Sequence, residues 1–589
     1  MYKIGIYDRY LLTLGGGERY SCKIAEILSK EKDNLVDLLT DLYSDLNEIS
    51  DRLNIDLSKV NLKIFPLISD DYAAKITSEY DIFINATYLS SLLASAKYNI
   101  YICYFPTPFD TDFRFIHKLL LFLFRKVSLR LFRKAEKIIN NEKQIEILEG
   151  IYEPKRFLLK RGSWTSGKVV LKVDNTKSNV NNIKNNSKEN ITKANFKVKE
   201  DYKISKKEDE LKSLKLGLKN PSDTNIEEMN VEIKRYKIDS TNCKRGNVFY
   251  KKLILKKDEK IDFEIPLIED AENVIEIVSD YFIPATVNAS AKDSRALGVV
   301  LYDERKTGVF QKIIMKLLGY IPMFIVSYPA DLKFLESYDE IIAISEYSSY
   351  WIKKFWGKDS KILFPPVDIS SFKSAQKEKI ILSVGRFFPE HHNKKQLELA
   401  QAFIELVNEN PETMKDFRLV LAGGLENKQS HINYVNKIKE ISNNYSIEIL
   451  PNISWDELNE IFAKALIFWH ASGLNEDENK NPEKFEHFGI TTVEAMASGC
   501  IPIVINKGGQ KEIIKDGVNG FTFNDVAELK QKTLFVIEHN KDMDKIRLQA
   551  IKDSKKYSDE VFEDELLKII SSAKKVLGTK HLLEKENRY

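Results

Sequence analysis

The sequence predicts an α/β protein with two doubly wound lobes facing a cleft and a small β-sandwich inserted in the first lobe. Three observations carry the prediction. Short β-rich runs alternate with helical stretches from residue 1 to about 140, and the same alternation resumes after 306. Between them the chain is first polar and then strand-like, with turn residues and little helical periodicity. A length of 589 residues is too great for one core and suits about three domains.

In the first lobe, KIGIYDR, VDLLT, LKIFPL, YDIFINAT and NIYICYF read as strands, and Glu18 to Lys30 and Phe113 to Lys137 as helices. Gly15 to Gly17 read as a loop closing the first strand, either a tight turn or a place where backbone approaches an anionic ligand. Residues 166–305 form the insertion. From Asp174 to Asn230 it is rich in Lys, Asn, Ser and Glu, which predicts a flexible or irregular stretch. Val231 to Asp303 supply the sandwich strands, with Val169 to Val173 joining from ahead of the polar stretch. Residues 1–165 and 306–370 make the first lobe and the crossing, where the paired prolines of KILFPPVD stop any helix. Residues 371–560 form the second lobe, with strands IILSVGR, RLVLAGG, IEIL, LIFWHA, IPIVI and FTF, and 561–589 form a C-terminal helix and tail.

Composition excludes several function classes. Ninety Lys and Arg against 87 Asp and Glu give a net charge of +3, no general attraction for nucleic acid. The N-terminus carries charge from Lys3 onward and lacks a secretory pattern, so a cytoplasmic location is expected. Four cysteines without CxxC spacing argue against a disulfide framework or a zinc site. The longest apolar run, Leu119 to Phe124, is far short of the ~20 residues a membrane span needs. Arg114 to Lys134 is basic and amphipathic; it suits either an anionic inner-leaflet surface or a core helix with a solvated basic face.

Ligands bind open α/β sheets beyond the carboxyl ends of the strands, which directs attention to the loops of the second lobe. Arg386 ends IILSVG, and Lys394 and Lys395 stand just before a helix; an Arg fork and a Lys point charge suit a diphosphate. Gly423 ends the next strand, and His470 ends LIFWHA. Glu486 lies in a loop and Glu494 in the following helix, with the amides of Phe488, Gly489, Ile490, Thr491 and Thr492 between them as an anion site. Thr491-x-x-Glu494 also reads as a capping box, which explains Glu494 alone.

These residues resemble the group 1, or family 4, retaining glycosyltransferases of GT-B fold, built from two Rossmann-like lobes. The resemblance rests on the E-x7-E pair Glu486 and Glu494, on the VGR strand end Val384 to Arg386, on Lys394, and on EHFGITTVEAMASG followed by GG, EII and DGVNGF. It spans about Phe364 to Asn524. In the first lobe it rests on GGGE, YFPTP and AISEYSS. The sub-pattern HNKKQ, with WHASG and EKFEHFGI, is most similar to enzymes of cell-surface polysaccharide synthesis and to mannosyltransferases that extend lipid-linked oligosaccharides.

The resemblance implies a hexosyltransferase that moves sugar from a nucleotide-diphosphate donor to a glycan or lipid-linked acceptor, without metal or other cofactor. Arg386 and Lys394 would neutralise the leaving diphosphate, Glu494 would meet the ribose, and Glu486 the donor sugar. Gly16, Gly17 and Tyr104 would line the acceptor side. Members often carry a histidine where this chain has Tyr104, so either His117 has moved in, or the group is replaced, or the acceptor contacts differ. A catalytically silent scaffold that holds nucleotide and glycan is the competing reading.

Overall fold

The computed structural model describes residues 1–13, 15–40, 45–64, 70–108, 145–151, 162–174, 213–222, 226–237, 249–268, 271–282, 297–304, 332–390 and 392–586, with Leu119 and Ile313. The predicted helix Phe113 to Lys137, the basic segment Arg114 to Lys134 within it, and His117 lie outside these residues apart from Leu119.

The first lobe contains β1 (Tyr2–Tyr7), β2 (Asn34–Thr40), β3 (Asn61–Ile64), β4 (Ile82–Asn85) and β5 (Tyr98–Cys103). Far along the chain, β14 (Glu340–Ala343) and β15 (Lys361–Ile362) rejoin them, giving a parallel sheet ordered β15-β14-β5-β4-β1-β2-β3. The second lobe has β16 (Glu378–Val384), β17 (Arg418–Gly423), β18 (Ile447–Pro451), β19 (Ala465–His470), β20 (Ile501–Ile505) and β21 (Phe521–Phe523). Its order β18-β17-β16-β19-β20-β21 is parallel throughout and reverses direction beside β16. The sequence explains the burial. Strands covered by helices on both faces read as continuous apolar runs, and every residue of β5, β19 and β20 is buried.

The insertion is an antiparallel sheet made of β6 (Ile145–Ile151), β7 (Ser163–Asp174), β8 (Ser213–Lys219), β9 (Glu228–Lys237), β10 (Phe249–Lys256), β11 (Lys260–Pro266), β12 (Glu272–Ser279) and β13 (Val300–Asp303). It begins at Ile145, ahead of residue 166. The expectation of an irregular stretch from Asp174 to Asn230 is corrected at β8, where Leu214, Leu216 and Leu218 are fully inaccessible and alternate with Lys215, Gly217 and Lys219. Flanking Lys and Asn hide that three-leucine alternation from a compositional reading.

The three-glycine segment is also corrected. Residues 8–14 separate it from β1, Gly15 is the N-cap, and Gly16 and Gly17 form the first turn of helix Gly16–Lys30 rather than a loop. The approach to the other lobe is close there: a Cβ on Gly16 would lie 3.1 Å from Ile490 Cδ1. The C-terminal helix, Asp559–Glu586, returns to the first lobe. Phe562, Leu566, Ile570 and Ala573 join its core, Lys23 pairs with Asp559 at 2.7 Å, and Lys574 donates to Asn34 at 2.8 Å. Among the described residues no helix is long and apolar enough to cross a membrane.

Candidate active site

The carboxyl ends of β16 and β19 meet where the second sheet reverses its order. Three predicted residues converge there. Lys394 Nζ lies 2.5 Å from Glu486 Oε2, and His470 Nε2 lies 2.9 Å from the same oxygen. The side chains of Lys394 and Glu486 are 20% and 19% exposed and that of His470 3%, so the trio is largely buried rather than on open surface.

Backbone geometry makes this approach possible. A Cβ on Gly385 would lie 2.6 Å from Lys394 Cγ, so glycine at the strand end lets the lysine stem cross it. Gly423 has φ +152°, and a Cβ there would lie 2.1 Å from the Gly385 carbonyl oxygen. Lys395 caps helix Gln396–Glu409 in the left-handed region, φ 60°, without a side-chain capping bond. Two ammonium groups at a helix N-terminus oppose the macrodipole. That arrangement is favourable only with negative charge nearby, and Glu486, Glu476 and Glu398 supply part of it.

Electrostatics fix the protonation states. Burial opposes ionisation of Glu486, but Lys394 and His470 outweigh it and hold the carboxyl well below its usual range. Burial depresses His470, partly offset by Glu486, so the imidazole is neutral and its Nε2–H donates to the carboxylate. Burial raises Glu494 to about 7.

The loop after Glu486 is held from behind by β20's turn. Gly509 N donates to Glu486 O at 2.7 Å, and a Cβ on Gly508, φ +62°, would lie 2.5 Å from that oxygen. Gly489 is the N-cap of helix Ile490–Ala497 with φ +123°, and a Cβ there would meet Gln510 Nε2 at 2.6 Å. This corrects the capping-box reading, since Thr491 lies inside the first turn and does not cap it. The set of free amides is smaller than expected as well. Thr492 and Val493 both donate to Gly489 O, leaving Ile490 and Thr491 without an intrahelical acceptor. The Phe488 side chain is 2% exposed and packs edge-on against Tyr557, so it is a core residue rather than a ligand contact.

Other predicted residues make separate contacts. Arg386 is exposed at the end of β16, its guanidinium 5.8 Å from the Phe388 ring. Tyr104 donates its hydroxyl to Gly17 O at 3.0 Å and packs edge-on against Tyr20. His487, not among the predicted site residues, stacks on Phe105 of the first lobe at 4.1 Å and 7°. Its position beside Glu486 was the available signal. Gln510 was also missed: it is fully inaccessible and accepts from Thr492 Oγ1 at 2.9 Å. Among the described residues no group of three or more His, Cys, Asp or Glu could hold a metal ion.

A two-lobed α/β protein with a charged cluster of Lys394, Glu486 and His470 at the second lobe's strand ends is thus defined. Residues 367–553 match the model of the family glycosyl transferases group 1. Over 232 residues the chain is 28% identical to a GDP-Man:Man(3)GlcNAc(2)-PP-Dol alpha-1,2-mannosyltransferase of Dictyostelium discoideum, covering 37% of this chain and 43% of that protein. The human protein of that name is 30% identical over 244 residues, covering 38% and 46%. The chain therefore spans less than half the length of these curated relatives. A crystal structure of Anabaena HepE with UDP and glucose superposes over 97% of this chain and 100% of its own, with 11% identity and a TM-score of 0.46.

Proposed function

We propose that the protein is a hexosyltransferase that moves a sugar from a nucleoside-diphosphate donor to a lipid-linked or free glycan acceptor. The observation that carries this reading is the Lys394–Glu486–His470 cluster beside the unspent amides of Ile490 and Thr491. A departing diphosphate develops negative charge, which preorganised cations and amides stabilise without moving. Lys394, Arg386 and the helix N-terminus supply that charge in this proposal, with metal-independent transfer and retention of configuration. Glu486 faces the donor sugar and Glu494 the ribose. Similarity to GDP-mannose-dependent relatives with lipid-linked acceptors supports mannose as the first sugar to test.

The antiparallel insertion is read as a small β-sandwich, because the first residues of β7 pair with β13 and the rest with β12. Action at the cytoplasmic face, with Arg114 to Lys134 against anionic lipid, belongs to the same proposal. Vesicle flotation tests it: equal failure to float with and without anionic lipid removes the membrane contact.

The deciding assay is release of nucleoside diphosphate from GDP-mannose and UDP-glucose in the presence of a pyrophosphate-linked oligosaccharide, with and without chelator. Turnover by the parent and its loss in Glu486→Gln supports the transferase. Nucleotide binding without turnover of any donor favours a silent scaffold.

A further inference from the structure

Helix Glu346–Trp356 of the first lobe begins directly over the second lobe, and its first amides are capped from both sides. Ser345 Oγ, from its own lobe, accepts from Ser348 N at 2.9 Å. The two preceding amides are taken by the opposite lobe: Glu512 Oε1 accepts from Tyr347 N at 2.5 Å and Oε2 from Glu346 N at 2.8 Å. A carboxylate over a helix N-terminus is well placed electrostatically, and here both its oxygens are spent on amides across the cleft.

Glu512 is linked closely to the donor pocket. It lies in the short helix Gln510–Ile513, just after Gly508 and Gly509, whose backbone packs on the carbonyl of Glu486. Its partners are linked as closely to the other wall. Ser348 Oγ donates to Tyr104 O at 2.6 Å, Tyr347 hydroxyl donates to Pro482 O at 3.0 Å, and Phe105 stacks on His487. The contact therefore joins, within a few residues on each side, the Glu486 loop to the end of β5.

We propose that Glu512 is a positioning residue for transfer, clamping the second lobe onto the first turn of helix Glu346–Trp356 and so fixing where Glu486 stands relative to the first-lobe strand ends. The proposal deepens the transferase reading and rests on it. The clamp is not needed to start the helix, because Ser345 already caps it locally and exposed amides can be satisfied by water. Its role is the geometry between lobes, where a displacement of about 1 Å can cost ~100-fold in rate.

The test uses the full chain carrying Glu512→Gln, with Ser345→Ala as the local-cap control. Glutamine keeps the size but turns an N–H donor toward one of the two amides. Steady-state kinetics and amide hydrogen exchange are measured together. For Glu512→Gln we expect kcat to fall ~10-fold or more, the donor KM to stay within about twofold, and exchange at Glu346 and Tyr347 to quicken. Ser345→Ala lowers the melting temperature with little change in kcat. Faster exchange with unchanged kcat overturns the positioning role, and unchanged exchange overturns the clamp itself. If the parent turns over no donor, the transferase reading fails, while the exchange measurement still judges the clamp.

Discussion

The two lobes share a doubly wound design and differ in what stands where the strand order reverses. In the first lobe that place is closed by its own polar groups. Asp8 accepts from Ser21 and Tyr10, Asn85 donates to Ser90 and Tyr338, Thr87 accepts from Arg9, and the Tyr104 hydroxyl is spent on Gly17. In the second lobe the same place holds Lys394, Glu486 and His470, with two amides left over. Topology offers a binding position in both, and only the second gathers a lysine, a carboxylate and an imidazole at it.

The largest effect should come from the open side. Glu486→Gln or Lys394→Ala is expected to lower turnover by ~100- to 1,000-fold, because each removes charge poised for the transition state. Tyr104→Phe on the closed side should leave nucleotide affinity unchanged. Titration calorimetry beside the transfer assay separates the two.

The next effect is pH-dependent. Glu494 and Glu512 are both raised by burial from 4.5 to about 7. A carboxyl whose folded value lies above its unfolded one stabilises the fold fully below the unfolded value and loses that contribution as pH rises through the folded one. Melting temperature should therefore decline between about pH 4.5 and 7, with each group contributing of order 3 kcal/mol at most. Glu486, shifted downward, acts oppositely: its contribution is present above 4.5 and is lost only at strongly acid pH. Glu494→Gln should flatten the decline in a pH series of thermal melts; an unchanged slope would contradict the assignment.

Glycine geometry should give a smaller effect. Gly489→Ala forces a Cβ at φ +123° onto Gln510 and is expected to cost about 2 kcal/mol and weaken nucleotide binding. Gly357→Ala, at φ +65° with open space around it, should cost about 1 kcal/mol and leave binding intact. The smallest expected loss is that of Tyr104→Phe, about 1 kcal/mol or less for one hydrogen bond. Chemical denaturation measures all three.

The strands were legible because apolar runs mark buried parallel strands, and the loop positions of Lys394 and Glu486 because ligand sites lie beyond the carboxyl ends of such strands; their ion pair, across 92 residues, was not. Features set by distant packing were not. Nothing near Glu512 in the sequence announces that its partners are Glu346 and Tyr347, and nothing in Asp559–Glu586 announces its return to the first lobe. Thr491 fitted a capping pattern that Gly489 pre-empts by adopting a conformation open mainly to glycine. His487 was visible in sequence, but its ring partner Phe105 lies across the cleft.

The most direct test is calorimetric titration of GDP and UDP into the parent and into Lys394→Ala. The pocket described here predicts that one nucleotide binds the parent, and that the lysine variant binds it at least ~10-fold more weakly with its fold intact. Equal affinity in the two proteins, or no binding of either nucleotide by the parent, would contradict it.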